Sequence, residues 1–358
     1  MAKTSILPLE IIETEILPRL PVRSLLRFKS VCKSWNSFIS SNAFNKLRNF
    51  NYDFLTLVSV LQAKIIGCIN GLVFIEHSDR YFVIWNLATK HRLDIAAPCD
   101  QFERCDYVSG FGFDSVINDY KCMYVDVVKT RPLHGYIYSC RAGCWKKISS
   151  SNFLNPDGVI NKVLNPVIVN GSPFWLITRV YDDVNIRMTV MSIDVRQESF
   201  RLLPDLGSSS STFTRKLNRK YTLLNFRDSL AVMFYSSKLF SGETIDIHIF
   251  NEKCGNWSKT SFGPFNFLSK VPTSRVKPRF LECFRNGDIL FLSHKIKRVY
   301  WVDLENYTIK CLGRLGVLDR HAVAYSESLV FIDGMKTFYK KEDMFQFFLD
   351  FVTKDGTY

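Results

Sequence analysis

The chain carries two hydrophobic rhythms. Over residues 6–45 apolar positions recur every three or four residues, whereas from about residue 65 they form short runs broken by turn residues. The first rhythm is one face of an α-helix and the second is that of buried or half-buried strands. Pro8 stands where a first-turn proline is tolerated, and Glu10 and Glu13 follow it where a positive helix end favours them. Leu9, Ile12 and Ile16 then share a face, and Pro18 cannot continue that helix. In the next run Leu25, Phe28, Cys32, Trp35 and Ile39 keep helical spacing, with Arg27, Lys29, Lys33 and Ser34 on the other sides. Two or three short helices are expected, too small to hold together alone. Their apolar surface needs cover from the rest of the chain or from a partner, and the pattern leaves both open.

From residue 65 onward one unit recurs: an apolar strand, a polar turn, then a strand carrying basic residues. Its copies are centred on Trp85, Tyr138, Ile193, Phe250 and Val302, which lie 52 to 57 residues apart. That interval is close to the roughly 50 residues of a four-stranded propeller blade. Further strands follow the turn pairs Asn70-Gly71, Asn170-Gly171, Arg227-Asp228 and Asn286-Gly287, and another spans Ser328 to Ile332. Five internal hairpins and a ring of about six blades are expected, with a two-sheet sandwich as the alternative. The fold class is thus α+β in two parts, a small three-helix unit followed by an all-β propeller.

Composition narrows the picture little. The chain has 358 residues, 47% of them apolar and 23% charged, as in ordinary globular proteins. The net charge of +13 makes acidic partners plausible. The excess is spread along the chain, however, and nucleic-acid readers concentrate theirs on one face or helix, so nucleic acid is not expected as a partner. Ten cysteines are scattered without a Cys-x-x-Cys pair, which predicts neither a zinc site nor a disulfide framework. Pro8 and Glu10 interrupt any signal-peptide core and no apolar run is long enough to cross a membrane, so a cytoplasmic or nuclear location with no membrane partner is expected.

No reactive constellation emerges. Gly110-x-Gly112 lacks the third glycine and following helix of a dinucleotide fingerprint and fits a strand edge better. Ser30-Val31-Cys32-Lys33 satisfies Ser-x-x-Lys without its companion motifs, and a solvated lysine accounts for it. The six histidines are isolated, and Asp182-Asp183 reads as a solvated turn pair. No catalytic residue, metal or other cofactor is predicted. The segments left for recognition are the long loops Cys99–Tyr107, Arg179–Arg187, Asp205–Lys220 and Gly263–Arg279.

The N-terminal residues carry a resemblance. Leu-Pro-x-Glu-Ile-Ile, then Glu-Ile-Leu-x-Arg-Leu-Pro-Val-Arg-Ser-Leu-Leu-Arg-Phe, then Val-Cys-Lys-Ser-Trp, across residues 6–45, resemble the F-box. The stretches 66–73, 84–89, 110–121, 169–176 and 192–200 resemble the F-box-associated domain of plant F-box proteins, and the pollen S-locus members are similar too. The resemblance implies an F-box at 1–45, a packed connector at 46–64, an F-box-associated propeller at 65–335 and a C-terminal tail at 336–358. It also implies docking on a Skp-type adaptor and, through it, on a cullin and a RING subunit of a ubiquitin ligase, with the propeller loops binding a protein target. The positions carried over are Leu7, Pro8, Ile11, Ile12, Ile16, Leu17, Leu20, Pro21, Val22, Leu25, Leu26, Phe28, Val31, Cys32 and Trp35. Some of these must form the helices' own core, and sequence does not sort them. The alternative is a propeller scaffold that binds a partner without a ligase.

Overall fold

The computed structural model describes residues 8–47, 54–59, 63–77, 81–98, 107–127, 134–149, 159–180, 186–206, 219–236, 239, 243–267, 278–293, 296–314, 321–337, 348–353 and 356–357. Most of these residues form antiparallel sheets in which consecutive strands pair as meanders. The first blade is Ala63–Ile69, Leu72–His77, Tyr81–Asn86 and His91–Ala96, with the two-residue strand Lys336–Thr337 on its outer edge. The second is Tyr107–Asp114, Asp119–Asp126, His134–Ser139 and Cys144–Ser149. The third comprises Val159–Val163, Val167–Val169, Ser172–Val180, Ile186–Asp194 and Ser199–Leu202. The fourth is Arg219–Phe226, Ser229–Ser236, Ile245–Asn251 and Asn256–Phe262. Pro278–Cys283, Ile289–Ser293, Arg298–Asp303 and Thr308–Arg314 make the fifth, with Asn266–Phe267 added in parallel.

The repeat predicts a ring of about six blades; the described residues form five meander blades instead. A further sheet is of different construction. His321–Tyr325 pairs with Phe54–Ser59 from the other end of the chain, and Phe348–Thr353 and Gly356–Thr357 complete it. The stretch read as a connector and the stretch read as a tail therefore both supply strands. Phe54–Ser59 finds both its partners hundreds of residues away rather than in a local hairpin, so no short-range turn signal marks it.

The blades neighbour one another around a closed ring. Ala63–Ile69 lies beside Tyr107–Asp114, which lies beside Ser172–Val180, the second strand of the third blade. That blade's inner strand Val167–Val169 lies beside Arg219–Phe226, which lies beside Pro278–Cys283; His321–Tyr325 joins Pro278–Cys283 back to Ala63–Ile69. The apolar core sits between blades rather than within them. Phe74, Phe82, Phe111 and Tyr124 fill the first interface, Met123, Trp175, Ile177 and Met191 the next, and Leu176, Val190, Val232 and Phe234 the one after. Gly110 has its reason here. A Cβ on it would stand 2.5 Å from the ring of Trp175 in the third blade, whose indole N–H donates to Ser109 O at 3.1 Å. The glycine pair in this motif is a packing device on an inner edge strand.

The recurring unit also has a physical cause. Its third strand ends on Asn86, Asp194, Asn251 and Asp303 in the first, third, fourth and fifth blades. In each case one side-chain oxygen accepts the backbone N–H groups two and three residues on. These Asx turns fix the hairpin that follows. The inner hairpins close as the turn pairs predict, with Asn70-Gly71 at φ 50° and 74° and Asn170-Gly171 at 49° and 77°, the two-residue shape that suits strand twist. Arg227-Asp228 takes the same shape at 52° and 60° without a glycine. It is held from the fifth blade, since Arg227 Nε donates to Asn286 O at 3.0 Å and Arg285 Nε to Asp228 Oδ2 at 2.9 Å.

Strand alternation gives the ring two unlike faces. The first-to-second and third-to-fourth hairpins of each blade, all tight, share one face. The strand ends that lead into the second-to-third hairpins and the links between blades share the other, among them those flanking all four long loops singled out from sequence. Their central residues (99–106, 181–185, 207–218 and 268–277) lie outside the described residues.

Candidate functional site

The helical region begins with a short α-turn, Leu9–Ile11, which runs into a π-helical stretch Ile12–Ile16 and a 3-10 turn Leu17–Arg19. The helices Val22–Phe28, Lys33–Ile39 and Asn42–Leu47 follow. Pro18 falls inside the 3-10 turn, so the first segment tightens at the proline before it ends at Leu20.

Leu17, Val22, Leu25, Ile39 and Phe44 form one buried cluster, and its remaining buried member is Leu329 of the propeller. Ala88, in a tight hairpin of the first blade, packs against the same cluster. No side chain within the helices caps Val22–Phe28, whose preceding residue is Pro21. The Glu327 carboxylate does so from outside, accepting from Val22 N at 3.2 Å. Glu327 and Leu329 follow the inner strand His321–Tyr325, which runs toward the tight-hairpin face. The helices are therefore seated on that face, opposite the long loops.

This seat sorts the fifteen positions that sequence alone left mixed. Leu17, Val22 and Leu25 are buried, and Ile12, Leu20, Phe28 and Trp35 are half-buried against them. Phe28 and Trp35 meet edge to face at 5.6 Å between centroids. Pro8, Ile11, Ile16, Pro21, Leu26, Val31 and Cys32 are exposed. Leu7 lies outside the described residues. Among the exposed apolar residues Val31 reaches 60%, Ile11 43%, Leu26 39% and Ile16 38%; Leu9, at 54%, joins them although the carried-over pattern omitted it. The helices thus keep an apolar exterior after the propeller has covered their core.

Cys32 precedes helix Lys33–Ile39 with its thiol in the open. Its Sγ lies 3.2 Å from Ser34 Oγ. That hydrogen bond, with the Trp35 and Ser34 backbone amides, draws the thiol pKa below its ordinary value. Ser30 donates its hydroxyl to Arg27 O at 2.6 Å, so the Ser-x-x-Lys match is an ordinary helix end.

At the long-loop end of the fourth blade a charged cluster is built. Asp246 is 4% exposed at its side chain and accepts from Arg219, from Ser261 Oγ at 2.6 Å and, as an ion pair, from Lys259 Nζ at 3.1 Å. Burial alone would raise its pKa, but the hydrogen bonds from Ser261, Lys259 and Arg219 outweigh burial and hold the carboxyl below its usual value. Beside it, burial and then the Lys259 charge lower the pKa of His248, against the pull of Asp246. Lys220 Nζ meanwhile donates to Pro278 O at 2.9 Å, tying the fourth blade to the fifth. Among the described residues no group of three or more His, Cys, Asp or Glu gathers as a metal site would need, and no helix is long and apolar enough to cross a membrane. Cys140 is buried and Cys144 exposed, both as free thiols.

Sequence reasoning missed the propeller's half of the helical seat and the Asx ladder. The ladder was legible, since Asn or Asp fills the same slot in four copies of the unit. Glu327 and Leu329 gave no signal, because their role depends on a contact across some 300 residues.

A ring of meander sheets, with clusters between them and helices seated on one face, defines a β-propeller carrying a short N-terminal helical region. The F-box associated beta propeller domain matches residues 23–352, and this chain belongs to that family. An F-box/kelch-repeat protein of Arabidopsis thaliana is 27% identical over 305 residues, covering 71% of this chain and 78% of that protein. A second F-box/kelch-repeat protein of the same plant is 24% identical over 274 residues, covering 68% and 62%. An F-box protein from Arabidopsis thaliana is 26% identical over 263 residues, covering 60% and 68%.

Proposed function

We propose that this chain is the substrate-recognition subunit of a Skp–cullin–F-box ubiquitin ligase. In this reading the helical region is the F-box, which docks on a Skp-type adaptor that joins it to a cullin and a RING subunit. The long-loop face binds a protein target for ubiquitination and degradation. The observation that carries the reading is the apolar exterior the helices retain at Ile11, Ile16, Leu26 and Val31 after their core is sealed by Leu329. A helix pair packed only on its own domain would present its polar sides there. The seat on the tight-hairpin face points the ligase machinery and the target to opposite sides of the ring. The chain itself performs no bond chemistry, and catalysis is proximity: target lysines are held near a charged ubiquitin carrier.

The test is reconstitution. Full-length chain mixed with a plant Skp-type adaptor, a cullin and a RING subunit should elute as one complex on gel filtration. A chain lacking residues 8–47 that still assembles would refute the reading.

A further inference from the structure

Arg179 stands out at the long-loop end of strand Ser172–Val180. It is 9% exposed, and its Nε and Nη2 atoms have no hydrogen-bond partner among the described residues. A guanidinium carries five donors, and burying such a group with donors unmet is costly. Sheet register compounds the cost. Arg187 lies directly opposite Arg179 on the next strand, and like charges so placed weaken a sheet. Asp205, nearby on the same side of the sheet, is already engaged: Thr189 Oγ1 donates to its Oδ1, and Arg187 Nη1 lies 4.0 Å from its Oδ2. Trp175 and Ile177, on the same side of the strand as Arg179, lie in the apolar interface with Val125 and Val127 of the second blade. Arg179 therefore ends that interface at the long-loop rim.

We propose that Arg179, with Arg187 across from it, receives an oxyanion, a carboxylate or phosphate, presented by the protein segment that docks on the long-loop face. The inference rests on the reading of that face as the target-binding surface. A planar guanidinium fork matches a two-oxygen anion, and pairing it there relieves the cost of the buried charge. The unmet Nε and Nη2 donors cost the free protein stability that the anion gives back.

The test is thermal melting of the full-length chain at matched ionic strength in chloride, inorganic phosphate or glutarate. Wild type should show a saturable rise of about 2 °C with at least one oxyanion over chloride. A rise with phosphate alone assigns a phosphorylated segment, and a rise with glutarate as well assigns an acidic one. Arg179→Met should melt at or above wild type in chloride and lose the oxyanion response. Arg179→Lys, which keeps the charge without the fork, should need at least about threefold more anion for the same rise. The inference is overturned by no response in wild type, by an equal response in either variant, or by Arg179→Met melting below wild type in chloride. Adaptor binding is independent of this titration, so failure of the anion site and failure of the ligase reading are told apart.

Discussion

The Glu327 carboxylate, on the propeller, accepts a hydrogen bond from the backbone N–H of Val22 at the start of a helix 305 residues earlier. With Leu329 in the helical core, this contact makes the helices part of the propeller surface rather than a tethered appendage. A fragment ending before the ring would lose both the cap and Leu329. Tests of adaptor binding are therefore best made on the full chain.

Loss of that cap should loosen one helix and leave the blades alone. Glu327→Ala should cost about 1 kcal/mol, the usual value of a helix cap. Hydrogen exchange should show faster exchange over Val22–Phe28 with unchanged protection in Leu72–His77. Equal loosening of both would mean that the carboxylate supports the ring instead.

Neighbouring leucines should behave oppositely. Leu25 is fully buried, and Leu25→Ala should destabilise the helical region by about 3 kcal/mol, the middle of the range for a buried leucine. Leu26 is exposed, and Leu26→Ala should leave stability within about 0.5 kcal/mol. Exchange rates across residues 17–44 separate the two.

Much of this was legible in the sequence. The spacing of Leu25, Phe28, Trp35 and Ile39 gives the helices, and the pairs Asn70-Gly71 and Asn170-Gly171 give the inner hairpins, because both signals act over a few residues. The sheet shared by Phe54–Ser59, His321–Tyr325 and Phe348–Thr353 was not legible, since strands from opposite ends are joined only by tertiary closure. The division of the fifteen N-terminal positions was hidden for the same reason. Helical spacing puts Leu25 and not Leu26 on the shared apolar face, but that Leu329 of the propeller completes the cover over that face carries no local signal. Arg179 looked like a loop boundary until its burial set it apart.

Gly110→Ala should strain the second and third blades together. The added carbon would meet the rigid Trp175 ring at 2.5 Å, and overpacking of this kind costs about 1–3 kcal/mol. Thermal melting of Gly110→Ala, Trp175→Leu and the double variant forms a cycle. The double variant should recover part of the loss, and strict additivity would show that the two residues do not compete for space.

Acid should weaken the fourth blade first. The folded pKa of Asp246 lies below its ordinary value, so its stabilising effect is full above the unfolded carboxylate range, near pH 4, and is lost as pH falls through the folded value. The folded pKa of His248 is also lowered, so the unfolded chain takes the proton first and stability declines as pH drops below about 6.5. Melting temperature between pH 7 and pH 5 should fall less steeply in His248→Gln than in wild type. An unchanged slope would assign the acid limb to other groups.

Cys32 offers a footprint of the proposed docking surface. With its pKa drawn down by Ser34 and the helix amides, it carries more thiolate near neutral pH than an ordinary exposed cysteine. It should react with iodoacetamide faster than exposed Cys144 or Cys254 in the free chain, and lose that advantage when the adaptor is bound. An unprotected Cys32 in the complex would place the adaptor elsewhere.

The most direct measurement of the central claim is adaptor affinity in a full-length Leu26→Asp/Val31→Asp variant. Both residues are exposed, so the change should leave the melting temperature as in wild type. Calorimetric titration with a plant Skp-type adaptor should show binding by wild type and at least a hundredfold weaker binding by the variant. Wild-type affinity in a fully folded variant would contradict the assignment of these helices as the ligase-docking surface.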